Sequence, residues 1–363
     1  MTSSLRETEG AFEHLTVFLD TEVFDKHSFN FDHPNFKTLL DYVEKGYVTV
    51  VLTTVTVGEV EAHIRQEVHD ATAHMKKVAD KHRIVRSVTD TALHSALTDG
   101  MRSEAETALL IRFRNLCKRL LVDVRAVDDV DAEEIFKDYF AAAPPFGEGR
   151  KKHEFPDAFA IRTLKAWCDE EERQVYVVSG DADWHRACEG VASLVHVASL
   201  GELLELIPGP KVVAAIKKAV ASRWSEVVDE VNNQFRDRGF VVTDVEGDVD
   251  DVRVTDLRAT ETYVTEAVGG EARVEITAEL EFEADVSYDV PGTGFWDSED
   301  KALYFPDRTN ETTTTVMEAI LEISIVYDPD DPEQIEIMEL ELAEPAGDLT
   351  VDMSEVLGFH DHH

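Results

Sequence analysis

Four short stretches place acids where chemistry is commonly done. They are Val17-Phe18-Leu19-Asp20-Thr21-Glu22, Thr54-Val55-Thr56-Val57-Gly58-Glu59, Phe155-Pro156-Asp157-Ala158-Phe159-Ala160 and Val177-Val178-Ser179-Gly180-Asp181-Ala182-Asp183. Asp20 and Asp181 follow apolar runs that read as strands, whereas Glu59 and Asp157 read as first-turn residues of helices. In an open α/β sheet the carboxyl ends of the strands converge on one crevice. Carboxylates gathered there repel one another unless a divalent cation lies among them, and such oxygens are what Mg²⁺ takes as ligands, with waters completing its shell. The expected chemistry is metal-dependent phosphoryl transfer. Each acid alone has an ordinary explanation: a strand-end Asp often caps a helix, and a first-turn Asp or Glu is stabilised by the helix dipole.

The elements that must position these acids follow from periodicity. Leu15 to Asp20 reads as a buried strand, and Phe36, Leu39, Leu40 and Val43 fall at helical spacing between Pro34 and Lys45, with Gly46 placed to end the helix. Val48 to Leu52 is a second strand, and Thr56 to about Leu121 is helical with breaks near residues 87–91 and at Asp99-Gly100. Ser103 with Glu106 reads as a capping box opening a helix there. A short strand at Leu121 to Val124 and a helix at Asp131 to Phe140 precede a Pro- and Gly-rich loop over residues 141–153. Pro156 suits the first helical position of a helix reaching Glu171. Val175 to Ser179 and Leu194 to Val197 are further strands, separated by a short helix that Asp183 is placed to cap and followed by a last one at Gly201 to Leu206. Strands alternating with helices imply a mostly parallel sheet covered on both faces.

Pro208-Gly209-Pro210 marks a boundary, after which an amphipathic helix (Lys211 to Arg236) leads into a different pattern. Val274, Ile276, Ala278, Leu280, Phe282, Ala284, Val286 and Tyr288 alternate with polar residues, the mark of a long strand with one face buried. Val316 to Tyr327 and Ile335 to Leu342 repeat it around the turn Asp328 to Pro332, and Val252 to Val264 contributes another strand. No repeat of solenoid type is evident. The expected organisation is an α/β domain over residues 1–207 with a helical insertion at about 65–140, a linking helix at 208–238, and an acidic antiparallel β-rich (α+β) domain at 239–363.

Charge separates the two parts. The 363 residues carry a formal charge of −40, and residues 241–363 hold 34 acids against 5 lysines and arginines. That field repels nucleic acid and membrane surfaces and favours solubility; adaptation to high intracellular salt is an equally good reason for it. A nucleic-acid substrate must therefore bind locally in the N-terminal part. Cys117, Cys168 and Cys188 are too far apart for a CxxC site, and their odd number argues against a disulfide framework. With a polar start and no apolar run near the ~18 residues a bilayer needs, the expectation is a cytoplasmic protein without membrane contact.

Order, spacing and element type of the acidic stretches together resemble the PIN-domain nucleases, specifically PIN-like members with a long helical insertion. The matching pieces are Leu19-Asp20-Thr21, Val57-Gly58-Glu59-Val60, Phe155-Pro156-Asp157-Ala158 and Ser179-Gly180-Asp181-Ala182-Asp183-Trp184, over roughly residues 14–205. The resemblance implies a three-layer α/β/α fold and a Mg²⁺- or Mn²⁺-dependent nuclease acting on RNA more readily than DNA. It implies Asp20, Glu59, Asp157 and Asp181 as the catalytic, metal-binding quartet, with Asp183 and Thr21 in accessory roles. Glu22 departs from the Asn more usual in the family, and the long stretch between Glu59 and Asp157 prevents transfer of substrate contacts from small members.

The implied reaction is in-line displacement at phosphorus assisted by one or two metal ions. Lys151 and Lys152, with Arg150, are placed to meet phosphates, as are Lys76, Lys77, Lys81 and Arg83 on the insertion, although charge runs are usually solvated faces. His63, one helical turn past Glu59, is a weaker candidate, and the terminal His360-Asp361-His362-His363 reads best as a frayed tail. Trp184 and Phe159 read as packing residues. The alternative is a non-catalytic PIN-like scaffold whose acidic β domain binds a protein partner; homo-oligomerisation is compatible with either. A strand-end Asp phosphatase is disfavoured because Glu22 stands where an Asp-x-Asp pair would need Asp.

Overall fold

The computed structural model describes residues 14–81, 99–128, 130–146, 154–243, 245–290, 293, 295–297, 302–304, 307–345 and 348–353. The chain divides into two compact units, Met1–Ile207 and Pro208–His363.

The first unit is built on five parallel strands: β1 (Leu15–Leu19), β2 (Val48–Thr53), β3 (Asp123–Arg125), β4 (Val175–Val178) and β5 (Leu194–Val197), in the order β3-β2-β1-β4-β5. The central strands are mostly apolar, as strands covered on both faces are. The helices are α1 (Thr21–Lys26), α2 (Pro34–Glu44), α3 (Thr54–Lys81), α4 (Asp99–Arg119), α5 (Ala132–Ala141), α6 (Phe155–Glu170), α7 (Ala182–Cys188) and α8 (Leu200–Glu205). One core, from Val17 and Leu19 through Phe24, Phe36, Leu52, Ile64 and Phe113, lies on one side; Phe18, Val51, Leu164, Val177 and Trp184 belong to another. The strand order reverses between β1 and β4, and at such a switch point the connections leave in opposite directions and open a crevice at the strand ends.

The insertion is a helical hairpin of α3 and α4. Phe113 reaches Phe24 edge-on at 5.5 Å, while Glu61 pairs with Arg114 at 2.7 Å and with Arg65 at 2.9 Å. The expected capping box does not form. The helix begins at Asp99, four residues before Ser103, and Glu106 turns to Arg65 across the hairpin at 3.4 Å instead of reaching back to a helix end.

The second unit packs two helices, α9 (Pro210–Ser222) and α10 (Trp224–Arg236), on a four-stranded antiparallel sheet. Its strands are β7 (Gly247–Val268), β8 (Glu271–Asp289), β11 (Arg308–Asp328) and β12 (Asp331–Glu344), in the order β12-β11-β8-β7. Two small pairings complete it: β6 (Phe240–Thr243) with β13 (Leu349–Asp352), and β9 (Phe295–Asp297) with β10 (Ala302–Tyr304). The single helix expected from Lys211 to Arg236 is broken at Arg223. The Ser222 hydroxyl bonds the Ala219 carbonyl at 2.7 Å and the Trp224 indole turns to the Leu257 carbonyl at 3.1 Å. Val213, Ile216, Val227, Val231 and Phe235 all enter the core beneath the sheet, so this segment is part of the second unit's packing.

Strand β7 shifts register against β8 between Val249 and Asp251, Val254 and Asp256, Ala259 and Glu261, and Val264 and Glu266. Each bulge adds a residue and increases the strand's twist and bend. Thr255, Thr260 and Thr265 occupy three of the four bulges, and their hydroxyls donate to the β8 carbonyls of Glu281, Thr277 and Arg273. Backbone acceptors that the bulges take out of the ladder are thereby satisfied. Thr260→Val, nearly the same shape, should lower unfolding free energy by about 1 kcal/mol in chemical denaturation.

Candidate active site

The four acids of the sequence motifs all lie at the strand-end side of the first unit. Asp20 follows β1, Asp181 follows β4 by three residues, Glu59 is on the helix leaving β2, and Asp157 opens α6, whose far end leads into β4. Asp20 bridges the switch point: its backbone N–H donates to the Val178 carbonyl at 3.0 Å, tying the end of β1 to the end of β4.

Asp20 is only 6% exposed. As the N-cap of α1, it accepts from the Thr21 backbone N–H at 2.7 Å and from the Ser179 hydroxyl at 2.7 Å, one bond on each oxygen. Burial nevertheless dominates and pushes its carboxyl up to about 6; those two bonds oppose the shift, while Glu22 and Glu59 add to it by repulsion. Glu59 is half-buried and likewise raised, mainly by desolvation. The Thr21 hydroxyl, 3.4 Å from Glu59 Oε2, and His63 favour its charged form, whereas Asp25 opposes it. Asp157 is raised most, to about 7, first by burial and then by Asp20, Glu59 and Asp181, against the Trp184 indole N–H that donates to its Oδ1 at 3.2 Å.

Asp181 is the exposed member. It caps α7, accepting from the Asp183 N–H at 2.7 Å, while its own N–H donates to the Ser179 hydroxyl at 3.1 Å. Ser179 thus sits between Asp20 and Asp181. Two expectations change in detail: Asp181, not Asp183, is the cap, because the helix starts at Ala182, and Asp183 pairs with Arg186 one turn on. Glu59 lies in the second turn of α3, since the helix begins at Thr54 with the Thr53 hydroxyl accepting from Thr56 N–H at 3.1 Å. The helix dipole therefore does little for Glu59.

Glu22 also reaches the strand-end side of β4. Its carboxylate packs against Gly180: a Cβ added there would lie 2.6 Å from Glu22 Oε1. Glu22 Oε2 is buried and without a hydrogen-bond partner, as is Oδ1 of Asp25 one turn on. Asp25 Oδ2 meets His63 Nδ1 at 2.7 Å, which places His63 beside the acids rather than among them. Lys151, Lys152, Arg150 and Arg83 lie outside the described residues, as does the terminal His360–His363 segment. Lys76 and Lys77 are exposed on α3. Trp184 is buried against Phe18 at 5.1 Å between ring centres. Trp184→Phe removes the donor that favours ionised Asp157 and should cost about 1–3 kcal/mol in denaturant unfolding.

A five-stranded parallel sheet between helical layers, with carboxylates at its switch point, defines the class of α/β/α proteins that bind ligands at strand ends. Residues 17–184 match the PIN domain family, which supports reading the first unit as a PIN domain. PIN domains are in general nucleases and in general use Mg²⁺ or Mn²⁺. Nothing among curated proteins or solved structures matches the chain. No helix among the described residues is long and apolar enough to cross a membrane.

Among the described residues, no three His, Cys, Asp or Glu side chains stand close enough to hold an ion as they are. In kind, however, the set fits a hard cation. It is all oxygen, Asp20, Glu59 and Asp157 are pushed up first by burial and then by acidic neighbours, and Glu22 adds an unsatisfied buried oxygen.

Proposed function

We propose that the first unit is a metal-dependent endonuclease that hydrolyses phosphodiester bonds, in RNA more readily than in DNA. The observation carrying this reading is the gathering of Asp20, Glu59, Asp157 and Asp181 at the strand-end switch point of a PIN fold, where burial first and then Asp20, Glu59 and Asp181 push the Asp157 carboxyl up. Acids that are partly desolvated and crowded by like charge are poor for stability and good for gathering positive charge. Asp20, Glu59, Asp157 and Asp181 would hold Mg²⁺ or Mn²⁺. When bound, such an ion supplies Lewis-acid stabilisation of charge developing on phosphoryl oxygens.

The chain's own residues set the geometry. The Ser179 hydroxyl and Thr21 N–H fix both oxygens of Asp20, and the Thr21 hydroxyl reaches Glu59. Asp183 N–H orients Asp181, with Asp183 itself held by Arg186. Lys151 and Lys152 are assigned to the phosphates flanking the cut, so binding should weaken steeply with added salt. The acidic sheet of the second unit keeps nucleic acid off its own surface and is assigned to a protein partner.

The test is cleavage of labelled single-stranded RNA, duplex RNA and single-stranded DNA with Mg²⁺, Mn²⁺ or a chelator. Chelator-sensitive cleavage, strongest on RNA and absent in Asp20→Asn, is expected. Cleavage that persists in chelator overturns the metal assignment, and the absence of cleavage on every substrate supports the non-catalytic scaffold instead.

A further inference from the structure

Two histidines meet beside Ser179. His185 lies on α7, four residues after Asp181, and His196 is on the edge strand β5. Their Nδ1 atoms are 3.2 Å apart, with ring centres at 4.8 Å and planes at 80°. The other nitrogen of each ring is turned to oxygen. His196 Nε2 lies 2.7 Å from the Ser179 carbonyl, and His185 Nε2 lies 3.5 Å from a carboxylate oxygen of Glu189, one helical turn on.

Those partners fix where the protons are. A carbonyl oxygen only accepts, so His196 Nε2 carries the proton and donates it, and in the neutral ring Nδ1 then bears a lone pair. An ionised carboxylate likewise only accepts, so Glu189 favours the same tautomer of His185. Two lone pairs then face each other across 3.2 Å. In neutral rings, a proton between them leaves a lone pair of His185 Nε2 against the Glu189 carboxylate. A metal ion satisfies every group: both Nδ1 lone pairs become ligands, and both Nε2–H groups keep their acceptors. Carbonyls and carboxylates are the usual outer partners that orient metal-bound histidines.

The separation fits as well. Two imidazole nitrogens on a tetrahedral Zn²⁺, each at about 2.0–2.1 Å, stand about 3.3–3.4 Å from one another. Imidazole suits Zn²⁺, Cu²⁺ and Ni²⁺, whereas carboxylates suit Mg²⁺ and Mn²⁺, so this pair and the acidic cluster select different ions. Among the described residues no third His, Cys, Asp or Glu joins the pair. His185 is exposed, and water completes the shell.

We propose that His185 and His196 form a second metal site, for Zn²⁺, separate from the acidic cluster. The inference does not rest on the nuclease reading. Ser179 joins the two places, its carbonyl meeting His196 while its hydroxyl donates to Asp20.

The test is calorimetric titration of Zn²⁺ into the full chain, in excess Mg²⁺ to compete at the acidic cluster. His360, His362 and His363 are replaced by glutamine in every protein compared, so that the terminal histidines do not contribute. His185→Ala and His196→Gln should each lower Zn²⁺ affinity by at least about 10-fold, the smallest loss expected even for an outer partner of a metal ligand. Glutamine at 196 retains an N–H for the Ser179 carbonyl, so the metal-free urea midpoint should stay near that of the parent. Cu²⁺ in place of Zn²⁺ should show two coordinated nitrogens by EPR in the parent and fewer in each variant. Unchanged Zn²⁺ affinity in both variants overturns the site, as does a loss confined to one of them, which would mean a single-histidine contact. Losses in both variants, in a chain that cleaves no strand, would uphold this site while the nuclease reading fails.

Discussion

Asp20→Asn should abolish cleavage, by at least about 10³-fold in kcat/KM, while making the metal-free protein more stable at neutral pH. The first half follows from the loss of a carboxylate that holds the ion, whose charge stabilisation is worth several kcal/mol in the transition state. The second half follows from burial. Asp20 is 6% exposed and its carboxyl sits at about 6, so at pH 7.5 the fold carries an ionised group that it would hold more easily neutral. A displacement from 3.8 to about 6 corresponds to at most about 3 kcal/mol. Asparagine keeps an oxygen for the Thr21 N–H and offers an amide to the Ser179 hydroxyl, which can also accept. The expected gain is about 1–3 kcal/mol at pH 7.5, read by urea denaturation in chelator. A residue that merely supports the fold would lose stability and activity together. Cleavage within tenfold of wild type, or a destabilised variant with residual activity in proportion to its folded fraction, would remove Asp20 from the site.

The fold and the acids were legible in the sequence for different reasons. Parallel strands buried on both faces write themselves as apolar runs, so β1, β2, β4 and β5 stand out, and a strand-end Asp is visible because the run stops at it. Strand β8 showed its period because nothing interrupts it. Its partner β7 did not. There the residues paired with the apolar face of β8, Val249, Val252, Val254, Leu257, Ala259, Thr262, Val264 and Ala267, are spaced alternately three and two apart, because a bulge adds a residue every fifth position. Neither period 2 nor period 3.6 describes that spacing. The signal that could have found it is the repeat Val254-Thr255-Asp256, Ala259-Thr260-Glu261, Val264-Thr265-Glu266.

At the site, local chemistry was readable and three-dimensional company was not. The start of α3 was misjudged because a threonine-rich strand end, Thr53-Thr54, serves equally as strand and cap, which moved Glu59 a full turn from the helix end. Glu22 could be named from the sequence, but its contact with Gly180 joins residues 158 positions apart and depends on β1 and β4 being neighbours. The exposure of Phe140 was hidden for the opposite reason. A phenylalanine at helical spacing is core far more often than surface, and only the packing of α5 on α6 shows which ring is left over.

Metal-free stability should also depend on pH in a way that Asp157→Asn removes. Asp157 has an ordinary carboxyl value of 3.8 in the unfolded chain and about 7 in the fold. Between those limits the native state binds more protons than the unfolded state, so its stability is greatest below about pH 4 and declines as pH rises through 7. His33 acts in the opposite sense. Buried beside His27 and Lys37, its ring is held down near 3, so the unfolded chain takes up the proton first and stability falls as pH drops below about 6.5. The wild-type profile is the sum of both slopes and of the smaller one from Asp20, whereas the difference between wild type and Asp157→Asn isolates the Asp157 part. That difference should be near zero at pH 4 and grow to about 1–2 kcal/mol in favour of the variant at pH 8, well below the full displacement because Asp157 retains contact with solvent. Mn²⁺ should reverse the order. It binds only the deprotonated acids, so its stabilisation of the wild type should increase from pH 5 to 8 and be much smaller in the variant. Parallel pH profiles for the two proteins in chelator would mean that Asp157 is ionised in the fold without strain, and an equal Mn²⁺ response would mean that it is not a ligand.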